Sequence, residues 1–474
     1  MQKLIKGLLL VVLLLSLSAC ELFNDHEMDR SQQSKFEDIL RHLEQNHYKQ
    51  PDQETLWDGA IQGLFDALED PYSRYFSQAE YEQYQSSLGE SFVGVGVTVE
   101  NVNENLLVIR VWPDSPAERG GLLPGDIVTH VDGEDYSDKS FIETLGAVGG
   151  EEGTDVEIGV KRSGVSDTVF ITMTREEIPN PTVEYEALTI DDKTVGFIQV
   201  NTFGVDTFDI FESALTDLEN NHNIEGLIID LRNNSGGRLD TVLQMLDTFL
   251  ASGEKPLLST ESYRNGNFYR DDYEATGNEI KDYDILTLIN EHSASASEVF
   301  AIAMMQKGGF DVLGMPSFGK GTMQTSHSPR SIGDDELHIS TGIWLSPNND
   351  WINQDGGDYK SVMPSIEVAQ NHYFQTQNIF LSDDETLTYD QVDMRIGSAQ
   401  KILNAIGYGE IREDTYFDQD TKAAVEAFQA DYDLDVSGVI DAQTARALSD
   451  ALIAYRNDLA NDLQFQAAKA YFDE

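Results

Sequence analysis

The spacing of hydrophobic and polar residues changes character several times along the chain. Apolar positions recur at helical spacing over residues 21–90 and predict a helical N-terminal region. Short apolar runs between glycine turns predict a β-rich module over residues 91–177. Residues 178–375 alternate strand and helix patterns, which is typical of an α/β core. An acidic linker, 376–391, then precedes a small all-α domain predicted over 392–474.

One stretch of the predicted α/β core joins a strand, a cluster of small residues and a helix. The apolar run Ile285–Ile289 predicts a buried strand, Ser293–Ser297 alternates Ser and Ala, and a helical pattern begins at Glu298. A strand that turns abruptly into a helix exposes a side chain and leaves backbone N–H groups for a ligand. A serine hydroxyl at such a turn needs a base, and Lys320 lies between two glycines downstream. Keeping a lysine uncharged near pH 7 costs about 4 kcal/mol, so we expect an enclosed site.

Other interpretations of this stretch are open. Gly314–Lys320 has the spacing of a phosphate-binding P-loop, but Gly321 stands where that motif needs a Ser or Thr to hold Mg²⁺. Ser293 or Ser295 could simply cap the helix. A Ser-His-Asp hydrolase is disfavoured, because no Gly-x-Ser-x-Gly motif occurs in the chain.

Two motifs carry a family resemblance. Ser-Ala-Ser-Ala-Ser-Glu at 293–298 and Phe-Gly-Lys-Gly-Thr-x-Gln at 318–324 resemble the signature of the carboxyl-terminal processing peptidases, also called tail-specific proteases. The resemblance implies a serine endopeptidase with a Ser/Lys dyad, in which Ser295 is the nucleophile, Lys320 the general base and Gln324 the residue that orients the lysine. It also implies an α/β protease core of the crotonase and caseinolytic-protease type.

A glycine turn after another predicted strand extends this resemblance. Asp-Leu-Arg-x-Asn-x-Gly-Gly at 230–237 is similar to a loop of the same family. The similarity implies that the backbone N–H groups of Gly237 and Ala296 form an oxyanion hole, with Gly236 as a rival donor. A plain strand-to-helix turn is the alternative for this loop.

The β-rich module resembles a PDZ domain through the segments Phe92–Val97 and Ser115–Val128. In PDZ domains a glycine loop receives the terminal carboxylate of a peptide, which adds as a strand to the sheet. The implied peptide-binding residues are Phe92, Gly94, Val95, Gly96 and Val97. A dinucleotide-binding loop is excluded because Val99 occupies the third glycine position of that motif. A small β module with an unused groove is the remaining alternative.

The helical tail over 392–474 resembles a three-helix peptidoglycan-binding domain, which implies peptidoglycan as a partner. Helical spacing by itself names no ligand, so a dimerisation module is the alternative, and a homodimer is a candidate assembly.

Charge and the cysteine count restrict partners and location. The net charge of −53 repels phosphate backbones and argues against nucleic acid as a partner. It also suggests adaptation to high salt or alkaline pH, with a solvated acidic surface as the alternative.

The one cysteine, Cys20, follows a charged and then apolar segment that predicts a signal peptide over 1–20. Leu-Ser-Ala-Cys resembles a bacterial lipobox, which implies a lipid anchor on Cys20 at the extracytoplasmic face of the membrane; ordinary signal-peptide cleavage is the alternative.

These observations predict a membrane-anchored serine endopeptidase of the cell envelope that captures the free C-terminus of protein substrates in its PDZ groove. No metal-ligand motif occurs, and no metal or other cofactor is expected. Two other functions are open: a non-catalytic scaffold with PDZ and wall-binding modules, and an enzyme that cuts peptidoglycan itself.

Overall fold

The described part of the chain forms two units. The computed structural model describes residues 30–87, 91–102, 105–112, 114–139, 141–162, 165, 167–264, 266–277, 281–354, 361–379, 381 and 385–473. The N-terminal unit reaches to Tyr75 and includes Leu337–Ile339, and the main unit comprises Phe76–Glu336 and Ser340–Glu474. Cys20 and the predicted signal peptide lie outside the described residues.

Two helices, α1 (Arg30–Asn46) and α2 (Gln53–Asp66), make up most of the N-terminal unit and are followed by β1 (Arg74–Phe76). The side chain of Asp52 accepts a hydrogen bond from the Thr55 N–H at 2.7 Å, which caps α2. The apolar spacing over residues 58–68 predicts a helix that starts at Asp58, whereas α2 begins five residues earlier, directly after this cap.

The PDZ-like module follows α3 (Gln78–Ser87) and is built from short strands. Its elements are β2 (Ser91–Gly94), β3 (Val97–Val102), β4 (Asn105–Val111), α4 (Pro116–Gly120), β5 (Ile127–Val131), β6 (Glu134–Asp135), α5 (Phe141–Val148), β7 (Asp155–Lys161), β8 (Val169–Thr174) and β9 (Glu176–Pro179). Five strands form a sheet in the order β3-β4-β5-β7-β8, β6 pairs with β5, and β2 pairs separately with β9. Strand β3 lies at an edge of this sheet.

The α/β core contains a central six-stranded sheet in the order β10-β11-β12-β15-β16-β19. Strands β10 and β11 pair antiparallel, and the others pair parallel. A second sheet contains β13, β14, β17 and β18. The elements of the core are β10 (Val183–Ile190), β11 (Lys193–Val200), α6 (Thr207–Asn221), β12 (Gly226–Asp230), α7 (Leu239–Asp247), β13 (Leu258–Arg264), β14 (Asn267–Tyr273), β15 (Asp284–Ile289), α8 (Ala296–Ala303), a π-helical turn (Met304–Gly308), β16 (Asp311–Gly314), β17 (Thr322–His327), a 3₁₀ turn (Arg330–Ile332), β18 (Glu336–Leu345), β19 (Ile366–Glu367) and a second 3₁₀ turn (His372–Gln375).

Helices α6, α7 and α8 pack on one face of the central sheet around a large apolar cluster that includes Phe211, Phe249 and Phe300. The central strands are continuous apolar runs because both of their faces are buried, as in other parallel sheets.

The C-terminal segment contains four helices, α9 (Met394–Ala405), α10 (Gln419–Asp431), α11 (Ala442–Asn457) and α12 (Leu463–Asp473). The first three share one apolar cluster, which also includes Ile379, Leu381 and Leu387 from the stretch that the sequence reading assigned to a linker. Helix α12 instead packs on the second face of the central sheet through Phe465 and Phe472. In the described residues we find no helix long and apolar enough to cross a membrane.

Candidate active site

Three neighbouring parallel strands carry the candidate catalytic segments to one edge of the central sheet. Strand β15 pairs with β12 on one side and with β16 on the other. The glycine loop follows β12, the serine cluster follows β15, and the segment with Lys320 follows β16. Since parallel strands end at the same edge, the topology alone brings these three loops together.

Ser295 occupies the turn between β15 and α8 with a backbone conformation that non-glycine residues rarely adopt, φ 54° and ψ −112°. Such strain is characteristic of functional turns. The serines on either side have structural roles, because the buried Ser293 hydroxyl donates to the Leu231 carbonyl and the Ser297 hydroxyl to the Asn234 carbonyl, each at 2.8 Å. Ser295 is half-buried and stands at the N-terminus of α8.

The buried carboxylate of Glu298 connects the serine turn to the lysine segment. Its Oε2 accepts the Ser295 N–H at 2.7 Å and the Lys320 N–H at 2.8 Å. Its Oε1 accepts the Ser317 hydroxyl and the Gly319 N–H, both at 2.6 Å. Burial raises the pKa of the Glu298 carboxyl, and these four hydrogen bonds oppose that rise. The backbones at Ser295 and Lys320 therefore share one oxygen atom as their common anchor.

Two tryptophans and a loop fix the main chain around Lys320. The Trp344 indole donates to the Lys320 carbonyl at 2.9 Å, and the Trp351 indole donates to the Gly321 carbonyl at 3.0 Å. A Cβ atom on Gly321 would lie 1.8 Å from the Ile352 carbonyl oxygen, so only glycine fits there. Lys320 itself is half-buried. The lysine segment is thus enclosed by backbone and indole contacts on several sides.

Gln324 lies on β17, four residues after Lys320. Its Nε2 donates to the hydroxyls of Thr322 and Ser340, each at 3.0 Å. These two bonds hold the amide group in one orientation, with its carbonyl oxygen directed away from both hydroxyls.

The glycine loop contacts the serine turn directly. A Cβ atom on Gly236 would lie 2.9 Å from Cβ of Ser295 and 3.0 Å from the backbone nitrogen of Ala296. The Gly236 N–H already donates to the Asn234 side chain at 2.8 Å, whereas Gly237 is exposed with φ +144°. This geometry favours Gly237 over Gly236 as the donor to a ligand.

The predicted peptide-binding residues of the PDZ-like module lie where β2 passes into β3. The ring of Phe92 contacts Trp112 edge-on at 5.9 Å, and Gly94, Val95 and Gly96 are buried. The Val95 side chain belongs to the apolar core of this module, and the Val95 carbonyl accepts the Ala117 N–H at 2.8 Å. Val97 begins the edge strand β3.

Sequence reasoning missed the role of Glu298, although Ser295-x-x-Glu298 has the spacing of a helix capping box, which was the available signal. It also missed Trp344 and Trp351, for which the sequence offers no signal because both come from distant segments. In the described residues no group of His, Cys, Asp and Glu side chains is arranged to hold a metal ion.

Comparisons with known proteins identify the domains of the chain and its family. The model of peptidase family S41 matches residues 194–368, a PDZ domain model matches 93–173, a peptidoglycan binding domain model matches 395–448, and a model of the N-terminal domain of the activating protease CtpB matches 18–80. The carboxy-terminal processing protease CtpB of Bacillus subtilis is 34% identical over 444 residues, 94% of this chain and 89% of that protein. The chain belongs to the S41 family of serine peptidases.

Two further proteins are similar to this chain over most of their length. The protein named Probable CtpA-like serine protease of Staphylococcus aureus is 31% identical, covering 91% of this chain and 84% of that one. A solved photosystem II D1 C-terminal processing protease aligns with 22% identity and a TM-score of 0.45, covering 70% of this chain and 86% of the other.

Membership in the family makes this protein a serine endopeptidase with an α/β core, a PDZ domain and a peptidoglycan-binding domain. Its substrates are proteins, and the peptidoglycan-binding domain points to the cell envelope.

Proposed function

We propose that this S41 peptidase cuts peptide bonds near the C-termini of proteins with a Ser/Lys dyad. Ser295 attacks the carbonyl carbon, and the uncharged amine of Lys320 takes the hydroxyl proton. The N–H groups of Gly237 and Ala296 stabilise the tetrahedral oxyanion. The lysine then gives the proton to the departing amine, and water releases the acyl group from Ser295.

The observation that supports this mechanism best is the oxygen of Glu298 shared by the Ser295 and Lys320 N–H groups. A common anchor holds the two backbones at a fixed spacing, as a nucleophile and its base require. The orientation of the Gln324 amide, set by Thr322 and Ser340, leaves its carbonyl oxygen to receive the lysine amine.

We further propose that the PDZ domain holds the substrate's terminal carboxylate while a preceding segment reaches Ser295. Strand β3 lies at a sheet edge, where a peptide can add as a further strand. Because the Val95 side chain is buried, recognition at Val95 and Gly96 would use backbone groups, and selectivity for side chains would come from Phe92 and Val97.

We also propose the anchoring and the domain boundaries read from the sequence. A lipid on Cys20 would hold the enzyme at the extracytoplasmic membrane face, and the domain over 392–474 would bind peptidoglycan. Assembly into a homodimer belongs to the same proposal.

Cleavage of an unstructured protein by single variants tests the dyad. We expect Ser295→Ala and Lys320→Ala each to lower kcat at least about a thousandfold, because residues that act as one unit fail together. Ser213→Ala, an exposed serine on α6, is the matched control and should cleave at the wild-type rate. Wild-type cleavage by Ser295→Ala would end the proposal.

The PDZ step needs a separate comparison, with one peptide carrying a free carboxylate and the same peptide amidated at its C-terminus. Capture of the carboxylate predicts a higher KM for the amide with the same cleavage position. Equal kinetics for both peptides would contradict PDZ capture and leave the dyad unaffected.

A further inference from the structure

A buried ion cluster lies at the base of the glycine loop. The guanidinium of Arg232 sits between two carboxylates, with Nη2 2.6 Å from Asp230 Oδ2 and Nη1 2.7 Å from Asp462 Oδ2. The three side chains are 12%, 6% and 8% exposed. Asp230 ends strand β12, but Asp462 comes from beyond the peptidoglycan-binding helices, 230 residues after Arg232.

Asp462 is itself held by several contacts. Its Oδ1 accepts the Phe465 N–H at 2.9 Å, which caps α12, and the Gln370 side-chain amide at 2.7 Å. Helix α12 is fixed in turn, because Phe465 and Phe472 pack into the apolar layer on the central sheet. The carboxylate therefore presents a rigid acceptor to Arg232, not a mobile surface charge.

Arg232 lies near the start of the loop that ends in Gly237. This loop is joined to the serine turn by hydrogen bonds. The Asn233 N–H donates to the Asn290 side chain at 2.9 Å, and the Asn234 carbonyl accepts the Ala294 N–H at 3.0 Å. If the Arg232 backbone moved, these hydrogen bonds would transmit the displacement to the serine turn, and the Ala296 N–H would move with it. Charge-assisted bonds to a guanidinium are strong and directional, so the cluster is suited to fix that backbone.

We propose that Asp462 is a positioning residue for the oxyanion hole, acting through Arg232 on the loop that carries Gly237. The segment after the peptidoglycan-binding helices is then part of the catalytic apparatus. This inference rests on the proposed roles of Gly237, Ala296 and Ser295.

Steady-state cleavage of a fluorogenic peptide by the full chain tests the inference. Asp462→Asn keeps the size of the side chain and a good helix cap but removes the charge that faces Arg232. We expect kcat to fall on the order of ten- to a hundredfold with KM within about twofold, since a displacement near 1 Å at a catalytic group has effects of this size. Arg232→Lys should cause a similar loss, and the double variant should lose much less than the product of the two effects.

Tyr471→Phe is the control for a merely structural effect, because it removes a 3.1 Å hydrogen bond from α12 to Asp311 and leaves Asp462 and its partners in place. It should lower the melting temperature and leave kcat unchanged. A wild-type kcat for Asp462→Asn would overturn the inference, as would equal losses of kcat in Asp462→Asn and Tyr471→Phe. An active Ser295→Ala enzyme in the same assay would instead overturn the proposed function.

Discussion

At the scale of single residues, the serine turn is held by one buried carboxylate. Glu298 is fully buried and accepts hydrogen bonds both from the serine turn and from the segment that contains Lys320. All of its partners are donors, so the group functions as an acceptor-only carboxylate. Its position makes the spacing of Ser295 and Lys320 depend on one side chain.

Glu298→Gln tests this dependence, because an amide would turn an NH₂ group toward N–H donors. We expect the variant to fold and its kcat to fall about a hundredfold, as the proposed nucleophile Ser295 and the proposed base Lys320 separate. Glu212→Gln, the same change at an exposed position of α6, should have no effect. Peptide cleavage kinetics measure both, and a fully active Glu298→Gln enzyme would refute the anchoring role.

The raised pKa of Glu298 gives a second prediction, for stability. Because the folded pKa exceeds the unfolded value of about 4.3, the folded state holds the proton more tightly. Protonation of Glu298 therefore stabilises the folded state. This stabilisation is complete at pH values below the unfolded pKa and is lost as the pH rises through the folded pKa. The stability of the wild type relative to Glu298→Gln should therefore increase as the pH is lowered from 7 toward 4.5. Denaturant titrations at several pH values would show it, and a constant difference would contradict it.

Gly236 allows a prediction about the contact between the glycine loop and the serine turn. Alanine there would place its Cβ 2.8 Å from the Ala294 carbonyl oxygen, at a φ of +110°. We expect Gly236→Ala to lose at least about a hundredfold in kcat as the proposed oxyanion donors move. Gly253→Ala, whose Cβ would meet only the Lys307 amine at 3.8 Å, is the control and should keep wild-type kinetics. Activity in both variants would show that the loop tolerates displacement.

Sequence motifs predict active-site roles for Ser295, Lys320 and the glycine loop, because each motif is a short run of residues in a recognisable order. The topology brings these three segments to one edge of the central sheet. The motifs did not predict the contacts of Glu298 and Trp344 with the lysine segment. Those contacts depend on how separate segments pack together, and the spacing of residues within one segment does not determine that packing.

At the scale of elements, the apolar runs predicted the central strands well because buried parallel strands are continuous apolar stretches. Element ends were predicted less well. Helix α2 starts at Gln53 because Asp52 caps it, and Ile379, Leu381 and Leu387 pack into the C-terminal cluster although their surroundings are acidic. A segment rich in acidic residues can still contain a few buried apolar side chains. A prediction based on the overall composition of the segment overlooks them.

Two buried glutamines support the peptidoglycan-binding helices in the same way. Gln400 donates to the Thr421 hydroxyl at 2.8 Å, and Gln429 donates to the Thr444 hydroxyl at 3.0 Å. Each threonine lies in the first turn of the next helix, so each glutamine joins consecutive helices.

Gln429→Met should therefore destabilise this domain by about 2–4 kcal/mol, because the polar partners of the amide are left buried without a bond. Gln443→Met, at an exposed position of the same domain, should cost less than about 0.5 kcal/mol. Denaturant unfolding of the full chain, followed by a probe in this domain, measures both. Equal stability of the two variants would contradict the supporting role of Gln429.

At the scale of the whole molecule, charge dominates the expected solution behaviour. A net charge of −53 opposes the compact state through self-repulsion, and salt screens that repulsion. We expect the melting temperature at pH 7 to rise between 0.05 and 0.5 M NaCl, over which the Debye length falls from about 14 to about 4 Å. Near the isoelectric point of about 4.2 the same change in salt should have little effect. A melting temperature at pH 7 that does not change with the NaCl concentration would contradict the argument from charge repulsion.

The order of helical, β-rich, α/β and again helical regions was predictable, because the spacing of apolar residues changes from one region to the next. The return of α12 to the central sheet was not predictable, since Phe465 and Phe472 show only a helical spacing that any surface helix shares. The sequence says that such a helix needs a partner surface but not which surface it covers.

The central claim is that Ser295 is activated by Lys320, and covalent labelling tests it most directly. The full chain is treated with a serine-reactive fluorophosphonate, and the modified residue is mapped by mass spectrometry in the wild type and in Lys320→Ala. We predict modification of Ser295 in the wild type and its loss in the lysine variant. Labelling of a different serine, or unchanged labelling of Ser295 without the lysine, would contradict the mechanism.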